Sequence, residues 1–307
     1  IAYSNDKFIN AFRKKIEEKY EITFNLKPDQ LLGIQIEHFP NRGGFRLTNT
    51  RLIDEIVRTY GLEKANPTKI PMDPGTDLVP GVSPPANPKL PFLSINGSLT
   101  WVCRCTRPDI AVPTNMLAQF SNSFDPTHMK GSIGVALALK GTRLVGLVYV
   151  HTAHVPRDVT RLSLYTDSDY AVCKVTRRSR TGWVLFMGTN VISYCSSRQH
   201  IVTLSSTESE LVAMCDGVKN LLGTIQIVQD FVPAELPVAV HVDNQGTIAI
   251  GTNEVHNSRT KHIDVRYFFT RELVDDKTVD IVYINTKDNP ADPLTKLLPY
   301  PAYKEGM

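Results

Sequence analysis

Residues 161–169 (RLSLYTDSD), 181–187 (TGWVLFM) and 190–195 (NVISYC) follow one another with only short polar stretches between them. Their period-two alternation and their content of aromatic and β-branched residues predict three consecutive strands, an antiparallel meander. The period then changes. Residues 207–231 predict a long helix, with Leu211, Met214, Val218, Leu221 and Ile225 on one stripe. A strand follows at 237–242 (PVAVHV), then a short helix at 244–250, a helix at 260–275, a strand at 279–284 (VDIVYI) and a last helix from about 291. Three strands, helix, strand, helices, strand, helix is the order of an α/β layer with a mixed sheet.

Upstream the pattern is different. Residues 7–20 place Phe8, Phe12, Ile16 and Tyr20 at helical spacing, and QLLGIQIE at 30–37 alternates like a strand. Asn41-Arg42-Gly43-Gly44 reads as a hairpin turn that returns the chain through Phe45–Leu47. Residues 50–60 carry Leu52, Ile53, Ile56, Val57 and Tyr60 on one side, and Gly61 ends that helix. Eight prolines between 66 and 91 exclude a helix or a central strand and predict an extended connector. Helices are expected around 94–104, 109–120 and 126–140, with residues 145–160 as the passage into the α/β layer.

The composition bounds what such a chain does. At 307 residues, 42% hydrophobic and 21% charged, it has ample core for one large or two medium domains, which excludes disorder and a disulfide-stapled mini-protein. Residues 1–150 hold 18 Lys and Arg against 13 Asp and Glu, and the remainder 16 against 18, a mild basic bias that permits polyanion binding. Five scattered cysteines (Cys103, Cys105, Cys173, Cys195, Cys215) form no evident disulfide framework and are expected to be core or incidental thiols. His151 and His154 lack a third ligand and are expected to be linker residues. No apolar run approaches the roughly 18 residues needed to span a bilayer, so no membrane partner and an intracellular setting are expected.

Acidic residues stand where strands end and helices begin, the places where open α/β sheets build their sites. Asp167 lies near the end of the first strand, Glu210 early in the long helix, Asp243 directly after PVAVHV, and Asp292 after the Lys287-Asp288-Asn289-Pro290 turn. Four converging carboxylates repel one another unless cations sit among them, and two magnesium ions about 4 Å apart would relieve the repulsion and clamp the oxygens of a phosphodiester. Taken singly, Asp243 and Asp292 also suit helix N-termini. Asp167 and Asp169 share a strand face, so spacing does not choose between them.

Five runs in order, Tyr165-Thr-Asp-Ser-Asp-Tyr-Ala171, Leu204-Ser-Ser-Thr-Glu-Ser-Glu210, Val242-Asp-Asn-Gln245, Ser258-Arg-Thr-Lys-His-Ile-Asp-Val-Arg-Tyr267 and Ala291-Asp-Pro-Leu-Thr-Lys296, resemble the ribonuclease H domain of copia-type long-terminal-repeat retrotransposon Pol polyproteins. LLGIQIE at 31–37, Gly97-Ser98-Leu99, Thr106-Arg-Pro-Asp-Ile110 and Lys140-Gly-Thr142 resemble the palm end, thumb and connection of the same polyprotein's reverse transcriptase. The resemblance implies a ribonuclease H-like mixed sheet with flanking helices, preceded by a mainly helical truncated palm, thumb and connection region. It divides the chain into 1–65 (palm end and thumb-like), 66–92 (Pro-rich connector), 93–155 (connection-like), 156–300 (ribonuclease H-like) and 301–307 (tail).

The resemblance also implies that Asp167, Glu210, Asp243 and Asp292 are both catalytic and metal-binding, with two magnesium ions, or manganese in their place, and an RNA–DNA hybrid as substrate. Ser206, Thr207 and Gln245 flank the carboxylates and are expected to contact the hybrid, and Arg259, Lys261 and His262 suit phosphate contact; His262 and Asp264 precede the last strand and are given no catalytic part. The family's Tyr-Val-Asp-Asp run is absent from these residues, so no polymerase activity is expected, and the missing palm and fingers are expected partners. Val172 and Lys174 depart from the family pattern. The other reading is a catalytically silent nucleic-acid-binding remnant, in a cytoplasmic virus-like particle or the nucleus in either case.

Overall fold

The computed structural model describes residues 6–23, 25, 27–39, 43–150, 160–252 and 261–300; the side chains of 6–9, 252, 261–265 and 267 lie outside that description. In chain order the elements are α1 (Asp6–Glu17), β1 (Gln30–Leu31), β2 (Ile34–Phe39), β3 (Gly44–Thr48), α2 (Thr50–Thr59), α3 (Phe92–Thr106), α4 (Ala111–Ala118), α5 (Pro126–Gly141) and β4 (Leu147–Val150). Then come β5 (Leu162–Asp169), β6 (Arg180–Met187), β7 (Asn190–Arg198), α6 (Ser206–Gln229), β8 (Val238–Val242), α7 (Gln245–Thr252), α8 (Lys261–Asp275) and β9 (Val279–Tyr283).

The meander expected at 161–195 is β5–β6–β7, antiparallel throughout. β8 and β9 add in parallel on the other side of β5, giving the order β7-β6-β5-β8-β9. This mixed five-stranded sheet with flanking helices is a ribonuclease H-like fold. Its two faces are both covered. On one, α6 lays Leu211, Met214, Val218, Leu221 and Ile225 against Leu164, Leu185, Val240 and Ile281. On the other, Val184, Ala291 and Leu294 join the core built by α2–α5, with Tyr165, Phe186 and Tyr194 packed against it. Burial on both sides explains why β6 (RTGWVLFM) reads as a nearly continuous apolar run rather than a strict alternation.

The first half holds a second, antiparallel sheet, β1-β2-β3-β4. The strand expected over 30–37 is interrupted at Leu32 and Gly33, both in the left-handed region, so β1 folds back on β2. Asn41 and Arg42 of the expected hairpin lie outside the described residues. β4 corrects the expectation that 145–160 is only a passage: Tyr149 pairs with Phe45, their rings stacked at 4.9 Å. Residues 151–159, including His151 and His154, lie outside the described residues.

The runs Thr106–Ile110 and Lys140–Thr142 owe their composition to packing. Arg107, fully buried, donates to both carboxylate oxygens of Asp109 at 2.7 and 2.6 Å and to the backbone carbonyl and hydroxyl oxygens of Thr142. Lys140 Nζ donates to the carbonyls of Leu62, Glu63 and Ala65, beyond the end of α2. Between them Gly141 lies so close to Pro67 that an added Cβ would sit 2.9 Å from its ring. These contacts fasten the start of the Pro-rich segment onto α5.

Two further expectations need correction. The final helix from about 291 is only a 3₁₀ turn, Asp292–Leu294, because the chain there folds down onto the sheet instead of running away from it. An apolar stretch of spanning length does exist, in α6, which is long and apolar enough to cross a membrane by length and composition alone. Its apolarity is explained by the core it fills, and it carries Glu208, Glu210, Asp216 and Lys219.

Candidate active site

The carboxylates reach one place because of where their elements stop. β5 brings Asp167 to the end of the central strand, β8 hands on to Asp243 at its own end, and α6 crosses the same edge with Glu210. One oxygen from each of the three lies within 4.8 Å of the others, the one group of three or more potential metal ligands among the described residues. They line an open pocket together with Ser168, Asp169, Asn244, Thr286, Asp292, Thr295 and Lys296.

Each acid is held by a hydroxyl that the sequence did not single out. Thr295 Oγ1 lies 2.7 Å from Asp167 Oδ2 and Thr286 donates to Asp243 Oδ2 at 2.7 Å. Ser168 donates to Glu210 Oε1 twice, from its backbone nitrogen at 3.0 Å and its hydroxyl at 2.9 Å. Glu210 Oε2 has no hydrogen-bond partner although it is buried. The neighbouring Glu208 is equally buried, and one of its oxygens serves the fold: Ser205 caps α6 by accepting from the Glu208 amide, and Glu208 Oε2 accepts from the Leu204 amide.

Crowding and burial change the protonation of this group. Desolvation, then repulsion from Asp167 and Asp243, pushes Glu210 up to about 8, against the two bonds from Ser168. Desolvation also lifts Asp167 to about 6, with Asp243 and Asp292 adding to the rise and Thr295 opposing it. Such a site gains from a cation that lets both carboxyls ionise.

Asp292 stands apart from the trio. It lines the same pocket, but Lys296 Nζ lies 2.5 Å from its Oδ1, so an internal ammonium already balances it. Asp169, left equivalent to Asp167 by its spacing, also lines the pocket but is not one of the converging three. Of the flanking residues, Ser206 and Gln245 are exposed, and Thr207 packs toward α7, its carbonyl accepting from Thr247 at 3.2 Å; none of them lines the acidic pocket. Arg259 lies outside the described residues, as do the side chains of Lys261, His262 and Asp264 at the start of α8. Lys174 pairs with Asp77 of the Pro-rich segment at 2.8 Å.

A ribonuclease H-like sheet with three carboxylates gathered at its strand ends defines the class of fold and site. Comparison with known proteins gives the family. The chain is 30% identical over 276 residues to the retrovirus-related Pol polyprotein from transposon TNT 1-94 of Nicotiana tabacum, covering 88% of this chain and 20% of that protein. It is 26% identical over 290 residues to the corresponding polyprotein from transposon RE1 of Arabidopsis thaliana, covering 94% of this chain and 19% of that protein. An uncharacterized mitochondrial protein of Arabidopsis thaliana is 32% identical over 198 residues, 62% of this chain and 78% of that protein. Over most of its length the chain is similar to retrotransposon Pol polyproteins, the family that its copia-type motifs resemble. It spans about a fifth of the length of the two transposon polyproteins. Among solved structures, a foamy viral protease-reverse transcriptase in complex with dsDNA aligns with TM-score 0.48 and 15% identity, over 87% of this chain and 45% of that one. No family model matches the chain.

Proposed function

We propose that the ribonuclease H-like region hydrolyses the RNA strand of RNA–DNA hybrids, as the nuclease part of a retrotransposon polyprotein, using magnesium ions held by Asp167, Glu210 and Asp243 with Asp292 at the rim. The observation that carries this reading is Glu210. Its buried Oε2 is left without a partner while its other oxygen is fixed by Ser168, and it faces two more carboxylates within 4.8 Å. An unpaired buried acceptor among other acids is costly in a folded protein, and a divalent cation with oxygen ligands satisfies it. When bound, such ions polarise the scissile phosphate and supply an activated water.

The chain's own residues set the geometry. Thr295, Ser168 and Thr286 each hold one oxygen of one carboxylate. Lys296 keeps Asp292 neutralised and adds one positive charge to a strongly acidic rim, which moderates repulsion of a phosphodiester backbone. The pocket is open, as a site for a duplex needs, and hybrids are distinguished by shape and by the 2′-hydroxyls of the RNA strand. The proposal gives these residues no part in primer extension, since no Tyr-Val-Asp-Asp run stands among them.

The test is cleavage of an end-labelled RNA–DNA hybrid in magnesium, with Asp243→Asn beside the unmodified chain. Loss of RNA-strand cleavage in the variant and in chelator is expected. Equal inertness of two folded proteins would leave the silent, nucleic-acid-binding reading, which a hybrid titration in calcium measures directly.

A further inference from the structure

A second cleft, of about 390 Å³, runs between the Pro-rich segment, α4 and the turn that follows β5. That volume is in the range of small-molecule sites. One side is apolar, with Leu78, Val112, Met116 and Phe120; the other carries Arg180 and Arg198.

These two arginines stand directly opposite each other in the β6–β7 ladder. Like charges so placed repel, and Arg180 is only 4% exposed, so solvent does little to screen it. Its guanidinium donates to two neutral oxygens, Asn115 Oδ1 at 2.6 Å and Ser196 Oγ at 3.3 Å. Neither arginine makes an ion pair among the described residues. Asp169 is the partner of Arg180 across the other ladder, yet the two make no ion pair. The row Asp169, Arg180, Arg198 therefore holds one more positive charge than negative, at the wall of a cleft.

We propose that this cleft binds a small organic anion, a ring-sized apolar body lying toward Met116 and Phe120 with one phosphate or carboxylate between Arg180 and Arg198. The anion balances the uncompensated charge, and the apolar wall selects against a bare ion. The site adjoins the acidic pocket, sharing Asp169, Thr295 and Lys296 as a common wall, and needs no metal.

The test uses the full 307-residue chain in EDTA, titrated calorimetrically with phenyl phosphate, phenylacetate and inorganic phosphate. Saturable binding of an aryl anion, one per chain, is expected, and which of the two binds tighter tells phosphate from carboxylate ligands. Inorganic phosphate should bind at least about tenfold more weakly, since it forgoes the apolar contact. Arg198→Gln, at a half-buried position that tolerates the change better than Arg180, should weaken aryl-anion binding by about tenfold, the loss of one charge-assisted hydrogen bond. No saturable binding of either aryl anion to the folded chain would overturn the proposal. So would unchanged affinity in a folded Arg198→Gln variant, or inorganic phosphate binding as tightly as phenyl phosphate.

Discussion

Gly182 stands directly across the β5–β6 ladder from Asp167, and its lack of a side chain is what lets the 291–295 segment close over the sheet and put Thr295 on Asp167. A Cβ at this position would lie 2.7 Å from Thr295 Cγ2 and 2.9 Å from the Ala291 carbonyl. Gly182→Ala is therefore expected to cost about 2 kcal/mol of stability through overpacking. The same displacement of Thr295 and Asp292 should lower hybrid cleavage by tenfold or more. Thermal unfolding and initial cleavage rates on one preparation separate the two effects.

The acid cluster gives the metal-free protein a particular pH dependence. Glu210 at about 8 and Asp167 at about 6 hold protons in the fold at pH values where the unfolded chain, with ordinary values of 4.5 and 3.8, has lost them. Their contribution to stability is full at low pH and is lost as pH rises through the folded values. The metal-free chain should unfold at a lower temperature at pH 8.5 than at pH 5.5, and Glu210→Gln should flatten most of that slope. Magnesium should raise the midpoint more at the higher pH, where it competes with fewer protons. A wild-type slope equal to that of the variant would refute the assignment.

Asp109→Asn removes the charge that balances Arg107 at a fully buried position while keeping the shape of the side chain. A loss of about 3 kcal/mol is expected, the usual size for a buried pair stripped of one partner. Urea unfolding reads it as a shift of the midpoint without a change of slope.

Residues 160–300 alone should be markedly less stable than the whole chain. Removing the first half uncovers Val184, Leu294, Phe186 and Tyr194, which pack into the core of α2–α5, and it strands Tyr194 Oη, which donates to the Cys103 carbonyl at 2.5 Å. Roughly 5 kcal/mol of apolar burial is at stake, comparable with the whole stability of such a domain. Circular dichroism melts of the two lengths give the comparison.

Local periodicity carried what local forces build. Ile53, Ile56 and Val57 are buried where their helical spacing put them, and the meander ran where alternation placed it. Glu210 and Asp243 were readable because strand ends and helix starts are local features, whereas Asp167 was told from Asp169 only by the copia-type motifs. Thr295 was not, since its contact with Asp167 joins residues 128 apart and depends on Gly182 clearing the way. β4 was missed for the same reason: a four-residue strand whose partner lies about a hundred residues upstream leaves no turn signal. The Arg180–Arg198 pair is invisible until register is known.

The side-chain amide of Asn190 bonds both ways to the backbone of Val150, accepting from its nitrogen at 2.9 Å and donating to its oxygen at 3.0 Å. Thr160 is clasped in a similar manner, donating to the Pro233 carbonyl and accepting from the Glu235 amide, each at 2.9 Å. Both ends of the intervening stretch are thus moored independently of what lies between them. Closure entropy grows only with the logarithm of loop length, about 0.6 kcal/mol per doubling. Val150 and Thr160 are accordingly each held by partners of their own, Asn190 for one and the 233–235 stretch for the other, whatever length of chain joins them.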